Sequence, residues 1–174
     1  MADLTGRDFA KAREIFFNYD GSRFYMSRDG VEAEYESFSV PKEVESKWLE
    51  ELTTHKLSML GEPGNWWVVY FLCNKRDCRH LSHLLNAEPL GAFWQRCAYL
   101  EVLLDYVGVC SQGYCASDIQ AAAQYVLDHA QGLPPEEAPS EQLRQRVGSV
   151  PGSGVSDGGV SVPDVRGPSR ESLW

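Results

Sequence analysis

The sequence predicts a mostly α-helical domain, α+β only at its margin. It reads as five or six helices in an antiparallel-type bundle, one β-hairpin over about 22–36 and a disordered C-terminal tail. Three observations carry this. Apolar residues recur at helical spacing in several segments, helix start and stop residues bracket them, and the composition changes abruptly after Gly132. Of the 20 Phe, Tyr and Trp residues, Trp174 alone follows Gly132, whereas 19 of the 42 residues from Leu133 to Trp174 are Gly, Pro or Ser. Such a segment has too little apolar surface to offset an ordering cost of roughly 1–2 kcal/mol per backbone residue. Residues 1–132 therefore read as one domain and 133–174 as a tail.

Taken in order, Thr5 to Phe17 reads as a first helix. Thr5 with Asp8 makes a start signal, and Phe9, Ala12 and Phe16 share a face. Asn18-Tyr19-Asp20-Gly21 ends it, with Gly21 suited to a positive φ. Asp29-Gly30 then predicts a two-residue hairpin loop, because both of its central positions need positive φ. In that register Phe24 faces Tyr35 and Met26 faces Ala33 on an apolar side. The other side carries Tyr25 with Glu32, Glu34 and Glu36 at a period of two.

Pro41 to Leu60 reads as the second long helix, with Val44, Trp48, Leu52 and Met59 inward. Asn65 to Cys73 is apolar on every side, so periodicity does not decide between strand and helix. A strand there lacks a partner other than the hairpin, which favours a buried helix starting after Asn65. A short helix follows to Leu85. The next, opened by Glu88-Pro89, sets Phe93, Cys97, Leu100, Leu104 and Val107 inward and stops near Gly108. The last runs from Ser117 to about Ala130 with Ile119, Ala122, Ala123 and Val126 inward.

The formal charge is -9. That sign argues against binding a phosphate backbone and favours a partner with a basic surface. No apolar run approaches the ~20 residues needed to span a bilayer, and no basic segment precedes an apolar one at the N-terminus. The five Cys, an odd count, then read as reduced thiols in a cytoplasmic protein.

Four constellations have chemical potential. Cys73, Cys78, His80, His83, Cys110 and Cys115 are zinc-type ligands, although both Cys pairs have four intervening residues where zinc ribbons commonly have about two. Cys78 beside Arg79 and His80, and Cys97 beside Arg96, are candidate thiol nucleophiles. Glu32, Glu34 and Glu36, with Tyr25 as an aromatic anchor, form a docking stripe for Lys or Arg of a partner. Glu50 and Glu51 are an alternative carboxylate pair. Trp48, Trp66, Trp67 and Trp94 could line a ligand pocket. Phosphate-loop, dinucleotide, nucleophile-elbow and zinc-protease motifs are missing. The sequence thus points to a non-enzymatic, acidic protein-interaction module without a cofactor. A zinc-stabilised Cys/His domain with a regulatory role and a small enzyme with a Trp-lined pocket are the alternatives.

Overall fold

The computed structural model describes residues 9–131 and 139–149 of the 174-residue chain. Every regular element among them is helical, and none is a strand. The order is α1 (Ala10–Asn18), α2 (Arg23–Arg28), α3 (Glu32–Ser37), α4 (Lys42–Ser58), α5 (Trp66–Lys75), α6 (Leu81–Leu85), α7 (Phe93–Cys110), α8 (Ala116–Gln131) and α9 (Pro139–Ser149).

The hairpin expected over 22–36 is replaced by α2 and α3. The reason lies at Asp29-Gly30. Gly30 has φ +76°, but Asp29 has φ -95°, so the double positive φ of the hairpin loop is not met. Gly30 instead ends α2. Its N–H donates to Ser27 O at 3.1 Å and the Val31 N–H donates to Met26 O at 2.9 Å. This reciprocal pair is the glycine-terminated helix end, which uses the same positive φ. At the other end Ser22 Oγ accepts from the Tyr25 N–H, a standard helix start. Met26 and Tyr35 are buried, while Phe24 is 72% exposed. Tyr35 donates to Glu45 of α4 at 2.6 Å and lies under the guanidinium of Arg23.

The centre of the molecule is α7, which buries Tyr99, Leu100, Leu103, Tyr106 and Val107 to within 1% of full burial. At 3.6 residues per turn these positions share an arc of roughly 120°, a wide apolar face that several neighbouring helices cover. Its most extensive partner is α5, followed by α8. The expected inward residues Ile119, Ala122, Ala123 and Val126 of α8 are all buried. The segment left open between strand and helix is helical, as α5, and it buries Val68, Val69, Phe71 and Leu72. In α4, Trp48 and Leu52 are buried as expected, but Met59 is 40% exposed. The helix has ended by then, and Leu60 turns inward instead.

Beyond the boundary expected at Gly132, the described residues include one further helix. Pro139 to Ser149 forms α9, whose Leu143 and Val147 are 0% and 1% exposed. It packs on α8 and α7, and Arg146 pairs with Asp105 of α7. Two apolar residues four apart make a sufficient docking stripe, but the surrounding Gly, Pro and Ser conceal them in the composition. The rest of the expected tail, and the Thr5/Asp8 helix start, lie outside the described residues.

Candidate functional site

The site begins with the way α5 is anchored. Asn65 is 2% exposed and fully satisfied. Its Nδ2 donates to Leu60 O at 2.8 Å and Glu88 O at 2.7 Å, and its Oδ1 accepts from the Leu90 N–H at 3.2 Å. A buried amide with all three bonds made sets the rotation of the helix that follows. At 3.6 residues per turn, Trp66, Tyr70, Asn74 and Trp67 then share an arc of roughly 100°. That arc faces away from Val68, Val69 and Leu72.

The result is an unbroken path of aromatic contacts across the surface. Trp94 at the start of α7 meets Trp66 at 6.1 Å between ring centres, Trp66 meets Trp67 at 5.2 Å, and Trp67 stacks on Tyr70 at 5.1 Å. The Tyr70 hydroxyl lies 3.5 Å from that of Tyr25 on α2, and Tyr25 meets Phe24 at 5.4 Å. Between α2 and α5 this band opens into a groove of about 350 Å³. Its polar lining includes Asp20, Asn74 and Lys75. Asp20 pairs with Lys56 of α4 at 2.8 Å. Burial pulls the Lys75 ammonium below its ordinary range, against a smaller opposing effect of Asp20. The hydrogen bond with Tyr25, joined by one with Asn74, lowers the Tyr70 phenol, while the same contact with Tyr70 raises Tyr25.

A second cluster surrounds the α5–α6 connection. Cys78 and Cys110 form a disulfide with Cα atoms 5.5 Å apart. Tyr106 donates to Asp77 O at 2.8 Å and accepts from the His80 N–H at 3.2 Å, while Tyr114 donates to Cys78 O. Arg79 makes two hydrogen bonds to Asp77, both at 2.8 Å. These bonds first, and His80 to a smaller extent, hold the Asp77 carboxyl below its usual range. His80 Nε2 is 3.3 Å from Asp77, yet neither ring nitrogen of His80 has a hydrogen-bond partner among the described residues.

No known protein family, curated protein or solved structure matches this chain.

The six zinc-type ligands divide among separate roles. Cys78 and Cys110 are joined in a disulfide, which differs from the reduced-thiol expectation for them. Cys115 is exposed and hydrogen-bonds Asp118, and Cys73 is half-buried on α5. His80 and His83 have ring centres 5.7 Å apart. Among the described residues, no group of three or more His, Cys, Asp or Glu is placed to hold a metal. As nucleophiles, Cys78 is oxidised and Cys97 is buried. Glu50 and Glu51 are both exposed on α4, where Glu51 pairs with Arg13. Of the Trp set, Trp66, Trp67 and Trp94 come together. Trp48 instead packs with Phe9 and Phe16 of the N-terminal segment.

The acidic stripe loses its alignment with the hairpin. On a helix Glu32 and Glu36 are about 40° apart, and Glu34 is about 200° from Glu32. Tyr25 does not sit among them but joins the aromatic band. Phe24, Tyr70 and Lys75 are site residues that sequence reasoning missed. A helix apolar on all sides hides which face is exposed, and the one available signal was the polar Asn74 and Lys75 that follow Trp67 and Tyr70 at helical spacing. No helix among the described residues is long and apolar enough to cross a membrane.

Proposed function

We propose that the chain is a non-enzymatic protein-binding module that meets its partner through the aromatic band of α2, α5 and the start of α7. The observation that carries this is exposure: Phe24, Trp67 and Trp94 leave 72%, 40% and 59% of their surface in solvent. Contiguous exposed aromatics mark interaction surfaces, and Trp and Tyr are the residues that most often dominate binding energy. A partner with basic residues around an apolar contact suits the net charge of -9. The carboxylates of Glu32, Glu34 and Glu36 would speed its encounter, with Tyr25 contributing from within the band.

A cytoplasmic location belongs to the same proposal, and the Cys78–Cys110 bond weighs against it. Disulfides persist mainly in oxidising compartments. Thiol titration of protein taken from its source under acid quench decides the point.

The binding test is a pull-down from extract of the source organism, comparing the wild type with Phe24→Ser/Trp67→Ser. A protein held by the wild type and lost by the double variant is expected, with circular dichroism and melting of the two compared in parallel because Trp67 also stacks on Tyr70. If the double variant retained every protein that the wild type captures, the band would not be the contact surface.

A further inference from the structure

The groove between α2 and α5 is lined by an ammonium that is in no ion pair among the described residues. Lys75 closes α5 and is half-buried, with its ammonium 5.8 Å from the centre of the Phe71 ring. Among the described residues no carboxylate forms an ion pair with it. Asp20, the acid lining the same groove, is held by Lys56 at 2.8 Å. An ammonium partly removed from water and left unpaired is stabilised by any anion that enters beside it. The volume of about 350 Å³ is at the low end of the roughly 300–1,000 Å³ range of ligand pockets. That suits one large side chain rather than a docked helix.

We infer that the groove captures the C-terminal residue of a partner chain, its aromatic or large aliphatic side chain lying against Trp67 and Tyr70 and its terminal carboxylate on Lys75. The inference rests on the protein-binding reading and adds the chemistry of the anchor. Two charges of opposite sign select this occupant. At long range the net charge of -9 draws basic segments and repels acidic ones. Inside the groove, Lys75 takes an anion. A basic segment carries one obligatory anion, the carboxylate at its end, so a basic C-terminal tail satisfies both fields. Asn74, which lines the groove one residue before Lys75, offers an amide donor and acceptor to the last peptide group. Fixed donors that capture a chain end are a recurrent mode of peptide recognition.

The experiment titrates the full chain with three fluorescent peptides. One is acyl-Lys-Lys-Gly-Ser-Phe with a free C-terminus, the second is its C-terminal amide, and the third is acyl-Lys-Lys-Gly-Phe-Glu amide. The free acid is expected to bind roughly tenfold more tightly than its amide, the effect of one charge-assisted contact. Lys75→Met should abolish that preference without weakening the amide, and Lys75→Arg should keep it. Equal binding of acid and amide, or a preference that survives Lys75→Met, overturns the inference. So does a Glu peptide that binds as well as the free acid, since the carboxylate would then come from a side chain. If no peptide binds but partner capture still depends on Trp67, the inference fails and the protein-binding reading stands. Capture that ignores Trp67 removes both.

Discussion

The hydroxyls of Tyr106 and Tyr114 lie 3.0 Å apart, and each holds one of two consecutive carbonyls, those of Asp77 and Cys78. One residue from α7 and one from the turn before α8 thereby latch the α5–α6 connection next to its disulfide. Removing the Tyr106 hydroxyl leaves the Asp77 carbonyl and the His80 N–H without their partner. Tyr106→Phe is expected to lose about 1–3 kcal/mol of stability, measured as a lower urea midpoint at unchanged slope.

The tyrosines also set an alkaline limit. Burial raises the phenols of Tyr99, Tyr106, Tyr114 and Tyr125 above their ordinary value. In the unfolded chain each ionises near pH ~10. The folded state therefore binds more protons above that pH. Its stability is complete below pH ~10 and falls as pH rises further. Absorbance at the phenolate band should rise together with loss of helical circular dichroism above pH ~10. Early, fully reversible titration of all tyrosines with the helices intact would contradict this.

The disulfide joins residues 32 apart in sequence. By loop-closure entropy alone its loss costs about 3–4 kcal/mol. Cys78→Ser/Cys110→Ser, or a thiol reductant, should lower the melting temperature by many degrees. An unchanged melt would mean that the two tyrosine latches hold the connection by themselves.

Truncation after Gly132 tests the boundary that composition placed there. Loss of α9 uncovers the surfaces of α7 and α8 on which Leu143 and Val147 lie, at roughly 1.5–3 kcal/mol for each buried side chain. The shortened chain should denature at distinctly lower urea. An identical midpoint would show that α9 adds nothing to the folded unit.

How legible the fold was depended on how many residues supported each element. The α8 stripe of Ile119, Ala122, Ala123 and Val126 was readable because four positions agreed with one period. The α2–α3 region was misread because Asp29-Gly30 serves two geometries, a hairpin loop and a helix stop, that share the positive φ at Gly30 and differ only at Asp29. The six residues of α2 are too few for their period to decide. Helix α9 was lost because Leu143 and Val147 are only two residues. At the site, Tyr25 was legible as an aromatic, and it is half-buried within the band. Its neighbours were not, because Trp66 to Leu72 have no polar side to indicate which face Asn65 would turn outward.

The aromatic band also makes the molecule an optical reporter of its own surface. Indoles with ring centres 5.2 and 6.1 Å apart pass excitation among themselves faster than they radiate. Light absorbed by Trp66 or Trp67 is therefore emitted largely from the lowest-energy indole of the set, and Trp94, 59% exposed, is the most solvent-relaxed. The intrinsic emission of the folded chain should be red-shifted for a protein with so large a core. A partner that covers the band should move that emission to the blue without any label.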